Sequence, residues 1–196
     1  GTYEITGLEA GDHLVQFQPA YNTNFIPEFF DNAATVSTAT PVAVSLGATR
    51  SGLDARLAVG GSITGTVTDK ITGDPLPSTY VAIVSTGTGV YSSYWASTDS
   101  AGRYAAIGLR AGTYTVGFSS YFSTDPTISY LPQWFDNVAT LAEANGVTVT
   151  AGEATENINA RMARGGRITG TVTAASSSSS GRSKLPVQRP ASSKVR

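Results

Sequence analysis

Apolar and polar residues alternate with a period of two through most of the chain, in short runs broken by Gly, Pro, Asp and Ser, which is the pattern of strands that bury one face. "SITGTVT" at 62–68 sets Ile63 and Val67 on one side, and "TYVAIVS" at 79–85 sets Val81 and Ile83 together. "VYSSYWAST" at 90–98 follows a Gly-rich turn and places Tyr91 and Trp95 on one face and Tyr94 on the other. "TDSAGRY" supplies an Asp turn and a Gly before the strand at Tyr104, and "TYTVGF" aligns Tyr114, Val116 and Phe118. "GVTVTAGEATENINARMA" predicts two strands about a Gly-containing turn, with Val147 and Val149, then Ile158, Ala160 and Met162 inward. Seven short strands with frequent turns predict an all-β fold, a seven-stranded antiparallel β-sandwich. Residues 120–145 are too long for a plain loop; Pro126 and Pro132 bar regular pairing, its aromatics predict packing across one end of the sandwich, and "ATLAEAN" predicts a helical turn.

The pattern recurs. "GGSITGTVTD" at 60–69 returns as "GGRITGTVTA" at 165–174, and "GTYEITGLEAGDHLVQF" at residue 1 aligns with "GRYAAIGLRAGTYTVGF" at residue 102. "FIPEFFDN" at residue 25 matches "YLPQWFDN" at residue 130, and "SGLDARLAVGG" at residue 51 matches "ENINARMARGG" at residue 156. A period near 100 residues suits a tandem array of whole domains. The expected organisation is the C-terminal half of a first repeat (1–59), a complete repeat (60–164), the first strand of a third (165–174) and a disordered Ser-rich basic tail (175–196). Gly60, Gly61, Gly165 and Gly166 are expected to be short hinges. The half-repeat is expected to be poorly folded, paired with another chain, or completed in part by the strand at 167–173, because it leaves sheet edges open.

Composition narrows the function. Of 196 residues 40% are hydrophobic and only 14% charged, so the chain folds around a core. The net charge of −1 conceals an acidic body and a basic tail: all fourteen acids precede residue 174, and five of the thirteen bases follow it. The body offers no clustered basic face, which argues against nucleic acid. There is no cysteine, hence neither disulfides nor thiolate metal sites, and no apolar run long enough for a membrane span. Having neither an initiator Met nor a signal pattern, the start reads as a fragment of something longer.

The stretches "GGSITGTVTDKITGDPLP", "TDSAGRYAAIGLRAGTYTVGF" and "AGEATENINARMARGG" together resemble the carboxypeptidase regulatory-like domains. That resemblance implies an immunoglobulin-like or transthyretin-like sandwich occurring in tandem in bacterial surface or secreted proteins, hence an extracellular or cell-surface location. It also implies kinship with starch-binding-like modules, and so polysaccharide binding beside a hydrolase domain. The related collagen-adhesin domains lock themselves with a Lys–Asn isopeptide bond; here the complete repeat has only Lys70, outside the first strand, so the residues for that crosslink are missing.

Candidate chemistry is sparse. The sole histidine, His13, aligns with Tyr114, which fits a half-buried strand position better than a catalytic base. Asp69, Asp74, Asp99, Asp125 and Asp136 fall in turn-like stretches, where Asp bonds the backbone two residues on. No stretch has the spacing of a dedicated calcium loop, and no metal or cofactor is expected. Tyr130, Trp134 and Trp95 are the candidate carbohydrate-stacking residues, Tyr130 and Trp134 being replaced by Phe25 and Phe29 in the first half-repeat, as suits packing. The expected function is a non-catalytic structural spacer module whose partners are neighbouring repeats. Carbohydrate binding in a secreted glycoside hydrolase, or adhesion to a host or cell-surface protein, is the alternative.

Overall fold

A computed structural model describes residues 1–20, 22–86, 93–120 and 129–173. The Gly-rich turn expected ahead of Ser93, Tyr91, Asp125, Pro126 and the tail at 175–196 lie outside the described residues. Two compact units emerge, Gly1–Gly166 and Arg167–Arg196; in the second, residues 167–173 form no strand.

The first unit is all-β. Its strands are β1 (Gly11–His13), β2 (Gln16–Phe17), β3 (Glu28–Phe29), β4 (Val42–Val44), β5 (Gly61–Asp69), β6 (Tyr80–Ser85), β7 (Ser93–Ser97), β8 (Arg103–Leu109), β9 (Gly112–Ser119), β10 (Gln133–Trp134), β11 (Val147–Val149), β12 (Ala154–Thr155) and β13 (Ala160–Met162). Among the described residues no helix is long and apolar enough to cross a membrane.

Residues 60–164 form a two-layer sandwich. One sheet runs β10–β9–β6–β7, with β11 also on β9; the other centres on β5, flanked by β8 on one side and by β12 and β13 on the other. Alternation dictates what fills the space between them. Ile63, Val67, Val81, Ile83, Tyr114, Val116, Phe118, Val147, Val149, Ile158, Ala160 and Met162 are all buried, with Tyr104 edge-on to Phe118 at 5.9 Å between ring centroids. The Tyr104 hydroxyl donates to the Ile158 carbonyl (2.7 Å), so the one polar atom of that ring is satisfied.

Three expectations need correction. The sandwich is mixed, because β12 and β13 both run parallel to β5, Ala160 facing Val67 and Met162 facing Asp69. Alternation reports which face a residue occupies and nothing about the direction of its neighbour. Nor is the pair Gly60–Gly61 a hinge. Both are buried, and a Cβ on Gly60 would lie 2.6 Å from Gly108 Cα, one on Gly61 2.4 Å from the Thr150 carbonyl oxygen. These glycines serve close backbone approach instead of freedom of motion. Among the described residues the region has nine strand segments where seven were expected, the additional ones being the two-residue β10 and β12.

Among the described residues, 1–59 form two ribbons, β1 with β4 and β2 with β3. The residues aligned with β8, β12 and β13 are without strand there. The aligned "FDN" triplets adopt the same turn twice: Asp31 and Asn32, like Asp136 and Asn137, have φ near +60° to +70°, a region Asp and Asn tolerate. Each Asp also takes a side-chain bond nine residues on, from Thr40 (3.3 Å) and from Asn145 (2.7 Å). A short 3₁₀ turn at Leu141–Glu143 lies within "ATLAEAN".

Candidate binding face and repeat junction

The pairing register places one row of side chains across the outer face of the larger sheet. Trp134 on β10 faces Gly117 on β9, Gly117 faces Ala82 on β6, and Ala82 faces Trp95 on β7. Paired residues share a face, so two indoles stand at opposite edges of a floor made by a glycine and an alanine. Three strand spacings separate their backbones, about 14 Å. The indoles are not equivalent. Trp134 is half-buried and lies over Gly117, where a Cβ would come within 3.0 Å of its ring; Trp95, on the edge strand, is 63% exposed. Ser93, Ser97 and Ser119 lie in the neighbouring rows.

Trp95 also borders a cleft of about 470 Å³ between this sandwich and residues 18–27, lined by Gln18, Asn22, Phe25, Tyr94 and Ile107 among others. Asn24 closes the base of that junction. Its Nδ2 donates to the Gly60 carbonyl (2.8 Å), its Oδ1 accepts from Gly108 N (2.7 Å), and its own carbonyl accepts from Gly60 N (2.8 Å). Ile26 N donates to Ala58 O (2.9 Å), and the Arg110 guanidinium donates to the Pro27 carbonyl. The backbone part of this clasp recurs at the aligned residues as Gly165 N to Ser129 O (2.7 Å) and Leu131 N to Ala163 O (2.9 Å).

Tyr130 is not on the outer row. Its hydroxyl donates to Asp69 Oδ2 (2.8 Å), and the same oxygen accepts from Arg164 Nε (2.6 Å), while Oδ1 accepts from the amides of Ile71 (2.7 Å) and Thr72 (3.2 Å). Burial alone would raise the Asp69 carboxyl. The bonds from Ile71, Tyr130, Arg164 and Thr72 outweigh it and hold the group well below the usual carboxylate range. Burial, and then the bond to Asp69, push the Tyr130 phenol up. With every partner engaged, the cluster is a knot around the buried Asp69 at the end of β5, with Arg164 on its exposed side and no free base or nucleophile. In the first half-repeat Phe25 and Val59 align with Tyr130 and Arg164. That paired loss of both polar partners is the one signal in the sequence that links them.

Asp99 and the histidine are similarly occupied. Asp99 Oδ1 accepts from Ala101 N and Arg103 N, both at 2.9 Å, closing its turn, and His13 Nε2 hydrogen-bonds the Glu9 carbonyl (2.9 Å). Among the described residues no group of three or more His, Cys, Asp or Glu is disposed to hold a metal ion.

A family model described as carboxypeptidase regulatory-like domain matches residues 62–163, which is 102 of the 196 residues. A search of curated proteins found no match. Among solved structures, a Bacteroides uniformis protein assigned as carbohydrate-binding is similar at 17% identity, over 52% of this chain and 40% of that one, with a TM-score of 0.34. The streptococcal ancillary pilin is similar at 13% identity, over 82% of this chain and 44% of that one, with a TM-score of 0.36. The chain thus spans less than half the length of either, and similarity at this level leaves function to be argued from its own residues.

Proposed function

The chain belongs to the carboxypeptidase regulatory-like domain family, and from that premise we propose that it is a non-catalytic structural module, holding successive copies of its sandwich at a set angle in a bacterial surface or secreted protein. The observation that carries this reading is the Asn24 clasp. Three hydrogen bonds from one residue tie the half-repeat to both Gly60 and Gly108, and glycines at both positions let the backbones close up. A junction with this many part-buried bonds and no Cβ between its strands resists bending, whereas a flexible linker would leave its amides to water. The family resemblance supports the surface or secreted location.

The reading is tested by spin labels on the exposed Ala34→Cys and Ala101→Cys positions, which are clean because the chain has no other cysteine. The expected distance distribution is narrow and broadens in Asn24→Ala. A broad distribution in the parent chain refutes the spacer.

One observation favours a second reading, in which the module binds polysaccharide on its outer face. The exposed indole of Trp95, in one row with Ala82 and with Trp134 lying over Gly117, suits a sugar ring stacking on its aromatic face. Adsorption to insoluble starch, cellulose or chitin tests it, along with quenching of tryptophan emission by soluble glucans. Binding lost in Trp95→Ala with an unchanged melting temperature supports it; absence of adsorption to all three polymers removes it.

A further inference from the structure

The larger sheet ends on one side at β7, which pairs with β6 and, among the described residues, with no other strand. The bonds on both sides of β6 fix which way the groups of β7 point. Thr98 N donates to Thr79 O (3.1 Å) on the β7 side, and Thr86 N donates to Thr113 O (2.9 Å) on the β9 side. Backbone groups point alternately to the two sides of a strand, so Tyr94 and Ala96 bond β6, whereas the N–H and C=O of Ser93, Trp95 and Ser97 point away from it. A cleft of about 470 Å³ lies between the start of this edge and Gln18, Asn22 and Phe25, so those residues do not seal it.

Natural sheets blunt an open edge with charge, proline or a cap. The smaller sheet does so at β8, which begins on the exposed Arg103 and has Gly108 N held by Asn24 Oδ1 (2.7 Å). β7 has no such device. Its sequence, "SYWAS", carries neither charge nor proline, and its ladder with β6 runs from Tyr80–Ser97 to Val84–Ser93 without a bulge. At its centre Trp95 keeps 63% of its surface in water.

We propose that β7 pairs antiparallel with β7 of a second copy of the chain about a two-fold axis at Trp95, joining the larger sheets side by side. The row of outward residues, Ser93, Trp95 and Ser97, reads the same in both directions. Trp95 therefore faces its own copy and Ser93 faces Ser97 on either side, each pair exchanging both hydrogen bonds. A foreign strand would answer the same backbone groups, but this palindrome suits the strand itself. With no charge on β7, the axis sets no like charges together. The two indoles meet on the outer face, where the flanking serines leave them room, and cross-strand aromatic pairs are favourable in sheets. Both partners use the same surface, so the contact closes at two copies. One five-residue strand from each copy makes a small interface, hence a reversible dimer. The contact goes beyond both readings above, since neither needs a second copy.

Sedimentation velocity of the full chain over a hundredfold concentration range reaching millimolar tests the contact, together with disulfide trapping. The expected weight-average mass rises towards that of two chains and not beyond. Trp95→Lys, which sets two ammonium groups together at the axis, is expected to stay monomeric with an unchanged melting temperature. The chain has no cysteine of its own, so introduced thiols report alone. Paired Cα atoms stand about 5.5 Å apart, within disulfide range, so an oxidised mixture of Ser93→Cys and Ser97→Cys chains is expected to link about tenfold faster than either variant alone. Should Trp95→Lys unfold, the mixture, which keeps Trp95, decides by itself. A monomer throughout the range overturns the proposal, as does association that passes two chains or survives in Trp95→Lys. Linking by either cysteine variant alone as fast as by the mixture overturns it equally.

Discussion

Replacing Gly60 with alanine adds one methyl group at the tightest point of the junction. The new Cβ would lie 2.6 Å from Gly108 Cα, 2.7 Å from Gly108 C and 2.9 Å from Leu109 N, all backbone atoms. Carbon atoms rest at about 3.5 Å, so one backbone must retreat by roughly 0.9 Å. Both are pinned by Asn24, through bonds of 2.7 to 2.8 Å, and a retreat of that size carries at least one of them beyond hydrogen-bonding range. Overpacking costs about 1–3 kcal/mol and a lost bond about 1 kcal/mol. Reduced freedom of the unfolded chain offsets about 0.4–1 kcal/mol, since Gly60 is not among the positive-φ glycines. The net is about 2 kcal/mol, a melting-temperature loss of roughly 4–8 °C for a unit of this size. The aligned Gly165 supplies the control. Its Cβ would meet the Ser129 carbonyl oxygen at 3.4 Å and Leu131 Cδ2 at 3.5 Å, ordinary contacts, so Gly165→Ala is expected to change stability by less than about 0.5 kcal/mol. Thermal unfolding followed by near-UV circular dichroism reads both. A Gly60→Ala chain as stable as its parent, or equal losses in the two variants, would refute the packed-junction argument and restore the hinge.

Phe118, 2% exposed and edge-on to Tyr104, is expected to cost roughly 3–5 kcal/mol on truncation to alanine, read as a lower urea midpoint at unchanged slope; a loss under 1 kcal/mol would contradict the core assignment. Trp134→Ala bares Gly117 and is expected to lower the melting temperature, while Trp95→Ala is expected to leave it unchanged; the reverse order would invert the roles given to the two indoles. The Asp69 carboxyl is held below its ordinary value, so its stabilising bonds are fully present above about pH 4 and vanish as pH falls through its depressed folded value. Asp69→Asn should flatten the acid limb of melting temperature against pH, and an unaltered limb would show that the knot contributes nothing there.

Alternation placed Ile63, Val67, Val81, Ile83, Val116 and Phe118 correctly inside, because a half-buried strand has few other ways to arrange its side chains. Local turn chemistry was equally legible: Asp99 bonds the amide two residues on, and so does Asp69. What the same reasoning missed at Asp69 is long-range. Tyr130 and Arg164 lie 61 and 95 positions away, and no local rule brings three such residues to one oxygen. Gly60 was misjudged for a different reason, since glycine marks freedom and close approach alike and only the atoms opposite decide which. The stacking candidates divided likewise. Trp95 and Trp134 share a row because of cross-strand register, while Tyr130 turns away to Asp69, and neither outcome is written in the residues themselves.

The parallel pairing of β13 with β5 has a mechanical outcome. Chain entering at Gly61 and leaving at Met162 does so at opposite ends of one sheet, about 27 Å apart by strand rise. Tension applied along the polypeptide therefore loads the β5–β13 ladder lengthwise, so its bonds resist together in shear. An antiparallel exit beside the entry would let the same tension peel them apart one at a time.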